Sequence, residues 1–227
     1  MIFASSRFKS WLTRVGAVTP EVAFHYLDAV LNYMGTGHWL KKKGYDTSRR
    51  VPTRFQVFDA AAAQAGEEKV LYLEFGVAQG GSMRYWSKLL QNPDAHLHGF
   101  DSFEGLPTHW TSGHPQGYFS TGGKPPEIDD PRVEFFKGWF NETLPSYTPP
   151  AHERLIVNLD ADLYSSTAFV LTHLRELIEP GTLVYFDEFN HRADELRAFD
   201  EFVSETGFRF RLVAATDDLV HVLFERL

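Results

Sequence analysis

Acidic side chains stand at the ends of four apolar segments that have the composition of buried strands. They are Glu74, Asp101, Asp160 and Asp187. A single carboxylate at a strand end often only caps the turn or helix that follows. In an open parallel sheet, however, ligands bind outside the carboxyl ends of the strands, which share one edge. Four acids at that edge are hard to explain as caps alone, so they predict a ligand site.

A glycine-rich turn follows the first of these strands and precedes a helical pattern that opens at Ser82. Glycine lets the backbone approach a ligand closely, and the helix start supplies free N–H groups with a partial positive charge. The spacing Gly76-x-Ala78-x-Gly80-Gly81 differs from the dinucleotide pattern, because Gly81 comes one residue early. The segment 74–80 instead resembles the acidic-x-G-x-x-x-G motif of class I S-adenosyl-L-methionine (SAM) methyltransferases. A plain glycine turn is the alternative interpretation.

Alternating strand and helix patterns must position these residues. Their order predicts a Rossmann-like α/β fold, a seven-stranded, mainly parallel sheet with helices on both faces and an antiparallel C-terminal hairpin. The loop from 102 to 131 is long enough to suggest a functional role. Strands are predicted at 70–75, 96–101, 133–137, 155–160, 183–187, 208–214 and 220–224, and helices at 54–65, 82–91, 165–178 and 193–205.

The N-terminal residues 1–53 are predicted to form a helical cap, separate from a catalytic domain at 54–227. A helix should begin at Thr19-Pro20-Glu21 and end at Gly35-Thr36-Gly37, and residues 49–52 should form a link. The apolar face of this helix packs either on the domain or on a partner subunit, which makes a homodimer an expectation. A lid over the substrate is the alternative.

Composition excludes several classes of protein. The chain of 227 residues is 43% hydrophobic and carries a net charge of −8, so it has no basic surface typical of nucleic-acid binding. It has no cysteine and therefore no disulfide or thiolate metal site. No apolar run approaches the roughly 20 residues that span a membrane, and no signal peptide is evident, so a cytoplasmic protein is expected.

Three further segments are similar to the macrocin-type O-methyltransferases, a family that methylates sugar hydroxyls of natural products. Residues 99–107 resemble its G-F-D-S-F-E-G-L-P segment, 138–145 its G-x-F-x-x-T-L-P segment, and 159–167 its L-D-x-D-x-Y-x-S-T segment. The resemblance covers roughly residues 70–205. It implies SAM as cofactor, and the matching positions for cofactor binding are Glu74, Gly76, Ala78, Gly80, Ser82, Asp101, Ser102, Gly138, Trp139 and Asp160.

The same resemblance implies three metal ligands, which map onto Asp160, Asp187 and Glu188. Their hard carboxylate oxygens suit Mg²⁺ or a similar divalent ion. The family usually has Asp at the last position, so Glu188 is expected to bind through water or not at all. Asp162 is a further candidate, although it could equally cap the helix that follows.

The implied chemistry is in-line attack of a substrate oxygen on the SAM methyl group. The protein must orient the hydroxyl and help to deprotonate it. Asp160 is the expected metal-holding catalytic acid, and His191 a general base on the same rim, since histidine titrates near neutral pH. A solvent-facing histidine is the alternative for His191. The residues identify neither the substrate nor the hydroxyl that is methylated.

Two other functions compete with a metal-assisted O-methyltransferase acting on a small hydroxylated molecule. One is a non-catalytic or altered member that binds SAM or a related nucleoside without transferring a methyl group. The other is a nucleotide-dependent oxidoreductase, which the glycine spacing and the acidic residues disfavour.

Overall fold

An eight-stranded sheet forms the centre of the molecule. The computed structural model describes residues 5–111 and 113–227, so residues 1–4 of the predicted cap and Ser112 of the long loop lie outside the described residues. The spatial order of the strands is β1-β7-β8-β6-β5-β2-β3-β4. The strands are β1 Arg50–Val51, β2 Val70–Phe75, β3 His96–Asp101, β4 Val133–Lys137, β5 Arg154–Leu159, β6 Leu183–Phe186, β7 Phe210–Thr216 and β8 Val222–Arg226.

The predicted topology is confirmed, with one additional strand. Strands β2 to β6 pair in parallel, and β8 pairs antiparallel with both β6 and β7. The segment predicted as a link contains β1, which pairs in parallel with Ala215 and Thr216 of β7. Two residues are too few to show the period of two by which a strand is recognised in sequence.

Burial on both faces explains the apolar central strands. Every residue of β2 is buried. Alternate side chains enter opposite layers: Leu71 and Leu73 join one core cluster, and Val70 and Tyr72 join the other. Helices cover both layers, as expected for parallel strands. The helices are α1 Ser6–Gly16, α2 Glu21–Lys43, α3 Arg54–Ala65, α4 Gly81–Leu89, α5 Phe140–Thr143, α6 Tyr164–His173 and α7 Glu195–Thr206.

Helix α2 continues through the glycines at which it was predicted to end, so that prediction is wrong. Gly35 has a tertiary role, since a Cβ there would overlap the side chain of Arg192. Thr36 is fully buried, and its hydroxyl donates to the carbonyl of Asn32 at 2.9 Å. Each glycine costs the helix roughly 1 kcal/mol, and burial of Thr36 and Leu40 holds this part of α2 against the domain. The helix ends at Gly44, which adopts a left-handed conformation.

The second half of α2 contacts the domain, beginning at Leu31, whose carbonyl accepts a hydrogen bond from Nη1 of Arg192 at 3.1 Å. None of the residues of α1 is buried, and the buried residues of α2 are Thr36 and Leu40. Leu40 belongs to the main core cluster. The rest of the two helices exposes large apolar side chains, including Trp11 and Leu27 at 55% each. Among the described residues, no helix is both long and apolar enough to cross a membrane.

Candidate active site

A cavity of about 960 Å³ opens at the carboxyl ends of β2 to β6. The segments that follow all five strands line it, and three of the four strand-end acids, Asp101, Asp160 and Asp187, lie on this one rim. The predicted site residues that line it are Gly76, Ala78, Asp101, Ser102, Trp139, Asp160, Asp187, Glu188 and His191. Glu74, Gly80, Ser82 and Gly138 were also predicted, but they do not line it.

Asp101 at the end of β3 organises the glycine turn. Its Oδ2 accepts the backbone N–H groups of Val77 and Ala78, each at 2.8 Å, and its Oδ1 accepts that of Phe103 at 2.7 Å. Charge-assisted bonds of this kind are about twice as strong as neutral ones. The turn is therefore fixed beside the cavity with Ala78 in a left-handed conformation, at φ 47°.

Gly76 brings the end of β2 against the end of β5. It has φ 93°, and a Cβ there would overlap the backbone carbonyl of Asp160. Only glycine combines this dihedral with such close contact. The turn therefore determines how closely the two strand ends approach each other.

Gly76→Ala is expected to lower the free energy of unfolding by roughly 2–5 kcal/mol, because backbone strain and overpacking add. Gly44→Ala is the matched control: its φ is 78°, but no atom lies within 4 Å of the added Cβ. The control should cost only about 1–2 kcal/mol. Urea unfolding of both variants measures the difference, and equal losses would contradict the role of close contact.

Glu74 lies beneath the turn, only 1% exposed. Tyr72 donates its hydroxyl to Glu74 Oε2 at 2.7 Å, and Asn158 donates its amide to the Tyr72 oxygen at 2.8 Å. Burial raises the pKa of Glu74 from 4.5 to about 8, although Tyr72 and Arg54 act in the opposite direction. In this structure Glu74 bonds to Tyr72 and does not line the cavity.

This raised pKa predicts a pH-dependent stability of the ligand-free protein. Because the folded pKa of about 8 exceeds the unfolded value of 4.5, the contribution of Glu74 is complete below pH 4.5 and is lost as the pH rises through 8. Between pH 5 and 9 the free energy of unfolding should therefore fall by a few kcal/mol more in the wild type than in Glu74→Gln. Denaturant titrations at each pH test this; parallel curves would contradict it.

The acidic cluster consists of Asp160, Asp162, Asp187, Glu188 and Glu195, which follow β5 and β6. Burial, followed by repulsion from Asp187, raises the pKa of Asp160 well above its usual range. Burial and the charge of Glu188 raise the pKa of Asp162 to about 7. Asp162 lines the cavity and holds a left-handed conformation at φ 57°. Burial also raises the pKa of Glu188 and, more strongly, that of Glu195.

Asp187 is the member of this cluster that pairs with Arg54. Its Oδ1 accepts the Tyr185 hydroxyl at 2.6 Å and lies 3.5 Å from Nη1 of Arg54 and 3.1 Å from Nδ1 of His221. Burial alone would raise the pKa of Asp187, but the bonds and charges of these partners outweigh it and lower the pKa. Asp187 therefore stays ionised in the cluster.

The chemistry of the acidic cluster fits a hard divalent cation, whose charge would offset the repulsion between buried carboxylates. As the side chains stand, no three His, Asp or Glu residues in the described ranges are arranged to hold a metal ion. Arg54 pairs with Asp187 instead, and it lines the cavity. A cation at the predicted ligands would therefore require local side-chain movement.

His191 forms a pair with Asp194, which lies three residues further along the chain. Nδ1 of His191 is 3.5 Å from Oδ2 of Asp194. The same oxygen accepts the indole N–H of Trp110 at 3.1 Å, and Oδ1 accepts the backbone N–H of Tyr164 at 3.1 Å. The bond to Asp194 raises the pKa of His191, against the effect of burial. Trp110 brings the long loop against this pair, with its ring 4.9 Å from that of His191.

Four residues of the site were missed or underestimated in the sequence. Arg54 stands in a segment without a motif, and His221 stands in the C-terminal hairpin, so only the tertiary fold brings them to Asp187. Asp194 had a local signal, its spacing of three from His191 before a helix. Trp110 had only its place in a loop too long to be a simple connection.

Solved structures with a similar backbone establish the class of fold. The calicheamicin methyltransferase CalS11 superposes with a TM-score of 0.62 over 75% of this chain and 77% of its own, at 22% sequence identity. At that identity the likeness establishes the methyltransferase fold alone.

Sequence comparison shows which family part of the chain resembles. Residues 124–222 match the family model of Macrocin-O-methyltransferase (TylF). The mycinamicin III 3''-O-methyltransferase of Micromonospora griseorubida is 28% identical over 52% of this chain and 54% of its own length. The 8-demethyl-8-(2,3-dimethoxy-alpha-L-rhamnosyl)-tetracenomycin-C 4'-O-methyltransferase of Streptomyces olivaceus is 38% identical over 26% of this chain and 22% of its own. Through this region the chain is similar to the macrocin O-methyltransferases. It spans about half the length, or less, of these curated relatives.

Proposed function

We propose that this protein transfers a methyl group from SAM to a hydroxyl of a sugar in a natural product. The observation that carries the proposal is the single cavity in which the glycine turn and Asp101 face the acidic cluster. The family match supports an O-methyltransferase. The names of the relatives support a small hydroxylated acceptor, and one of them acts on a rhamnosyl group.

The turn between β2 and α4 fits the cofactor. Gly76 has no side chain, so the turn can approach the backbone of Asp160 closely. Asp101 bonds to the turn and also lines the cavity. A carboxylate has about four lone-pair sites, so Asp101 can accept one ribose hydroxyl in addition to its three backbone bonds. Trp139 and Phe140 add apolar surface suited to an adenine ring. SAM supplies a methyl group that its sulfonium has already activated.

The acceptor would occupy the part of the cavity between the acidic cluster and the long loop. Trp110, His114 and Phe119 provide aromatic surface on the loop side. Aromatic rings bind the apolar face of a sugar, while carboxylates accept its hydroxyl hydrogens. The acceptor is thus oriented with one hydroxyl toward the cluster and away from water.

Asp160, Asp187 and Glu188 are the proposed ligands of a divalent ion, of which Mg²⁺ suits the oxygen donors best. When bound, such an ion lowers the pKa of an acceptor hydroxyl and can hold two neighbouring hydroxyls. Glu188 lines the cavity with the others, but its longer side chain carries the carboxylate further from the backbone than Asp would.

His191 is the proposed proton acceptor. Asp194 engages Nδ1 at 3.5 Å, which leaves Nε2 as the nitrogen that can take the proton from the hydroxyl. The Asp194 carboxylate would then stabilise the imidazolium that forms. A non-catalytic SAM-binding protein remains the second candidate, since the glycine turn and Asp101 suffice for binding without the acidic cluster.

Two measurements test the proposed function. Isothermal titration with S-adenosylhomocysteine (SAH) and with NAD tests the cofactor class, and NAD binding without SAH binding would overturn it. Methyl transfer to rhamnosyl acceptors, with Mg²⁺ and with excess EDTA, tests the chemistry. SAH binding without any transfer would favour the non-catalytic candidate, whereas full transfer in EDTA would remove the metal from the proposal.

The N-terminal helices are proposed to pair with a second copy of this chain. Helix α1 carries three basic residues and no acid, whereas the first half of α2 carries Glu21 and Asp28 and no Lys or Arg. Two copies can therefore match α1 of one against α2 of the other while covering the exposed apolar side chains. Analytical ultracentrifugation should show a dimer that Leu27→Glu dissociates and Asn32→Glu does not. A monomeric wild type would overturn this proposal.

A further inference from the structure

Two residues outside the cavity hold Asp187 by one of its two oxygens. The Tyr185 hydroxyl donates to Oδ1 at 2.6 Å, and Nδ1 of His221 lies 3.1 Å from the same oxygen. Neither Tyr185 nor His221 lines the cavity, whereas Asp187 does. Both therefore reach the carboxylate from the side of the sheet, where a ligand in the cavity would not touch them.

The distances determine the direction of these bonds. The Tyr185 hydroxyl has one hydrogen. Its short distance of 2.6 Å to Oδ1 indicates that this hydrogen is donated to Asp187. Nδ1 of His221 lies 2.9 Å from the Tyr185 oxygen as well. Because that oxygen has already given its hydrogen away, Nδ1 must carry one and donate it. His221 therefore fixes both the tyrosine and the carboxylate.

The second oxygen of Asp187 has no such restraint. Within the parts of the chain that the structure describes, the hydrogen bonds and ion pairs of the Asp187 side chain all end on Oδ1, including the looser one from Arg54 at 3.5 Å. A carboxylate whose one oxygen is bonded by residues outside the cavity keeps its other oxygen available to a ligand in the cavity. Partners of this kind orient metal ligands, and their loss typically weakens metal binding 10- to 100-fold.

We infer that Tyr185 and His221 are positioning residues that fix Asp187 by Oδ1 and so present Oδ2 to a divalent cation in the cavity. The inference rests on the proposed function, because that function makes Asp187 a metal ligand. It also gives the antiparallel hairpin a role in the site: His221 lies just before β8, and the pairing of β8 with β6 brings it to Tyr185.

The test measures Mn²⁺ affinity of the SAH-loaded protein by isothermal titration and by electron paramagnetic resonance. Tyr185→Phe and His221→Leu should each weaken Mn²⁺ binding about 10- to 100-fold and leave SAH affinity unchanged. His221→Asn should restore much of the loss, because its amide places an N–H close to the position of Nδ1. Tyr147→Phe is the matched control, a tyrosine whose hydroxyl bonds to His98 at 2.7 Å, and neither of these residues lines the cavity.

The outcomes separate the inference from the function on which it rests. If the wild type binds Mn²⁺ and both variants bind it equally well, the positioning role is overturned while the metal site stands. If the wild type binds no Mn²⁺, the metal part of the proposed function fails, and the positioning role fails with it. A loss shared by Tyr147→Phe, or one that only tracks the melting temperature, would show that the effect is general destabilisation and would also overturn the inference.

Discussion

Replacing Asp187 by Asn should lower the turnover of methyl transfer by about three orders of magnitude. The substitution keeps the size of the side chain but removes the negative charge that Tyr185, Arg54 and His221 stabilise. If Asp187 holds a cation, several kcal/mol of transition-state stabilisation are lost, and each 1.4 kcal/mol corresponds to a factor of ten. Turnover at saturating SAM and Mg²⁺ with a rhamnosyl acceptor is the measurement.

Asp217→Asn is the control for this result. It removes the same charge from an exposed position in the turn between β7 and β8, and it should leave turnover unchanged. SAH affinity should also change little in Asp187→Asn, because the glycine turn and Asp101 are unaffected. Turnover within tenfold of the wild type would show that the charge of Asp187 serves folding and not catalysis.

The second large effect is expected at Asp101, where Asp101→Ala should weaken SAH binding roughly 10- to 150-fold. Loss of charge-assisted bonds worth about 1.5–3 kcal/mol gives this range. The structure adds a second consequence, because three backbone N–H groups lose their acceptor and the turn loosens. The melting temperature should therefore fall together with the affinity.

Two further variants make the Asp101 result specific. Asp101→Asn keeps one carbonyl oxygen, so it should retain part of the turn and show an intermediate affinity. Glu104→Ala removes an exposed acid three residues away and should bind SAH normally. An Asp101→Ala protein that is folded and binds SAH with unchanged affinity would remove Asp101 from the cofactor site.

The part of the fold that the sequence predicts correctly is the part that local physics controls. The apolar runs that became β2, β5 and β6 can be recognised from the sequence, because a strand covered on both faces must be largely apolar. The turn at Gly76 can also be recognised in the sequence, because its backbone conformation favours glycine over other residues. The prediction was wrong where tertiary packing overrode a local signal, as at Gly35, which stays inside a helix whose neighbouring residue Thr36 is fully buried.

The sequence alone indicated which kinds of residue form the site. Strand-end acids and a glycine turn predict which side chains share a rim, because parallel topology places all carboxyl ends at one edge. The tertiary structure decided their roles. Glu74 is buried, and Asp101 accepts backbone N–H groups with both of its oxygens. Asp187 bonds to Tyr185, Arg54 and His221. These roles depend on contacts between segments as far as 133 residues apart, from Arg54 to Asp187, and no local pattern records which distant side chain will supply a charge or a hydrogen bond.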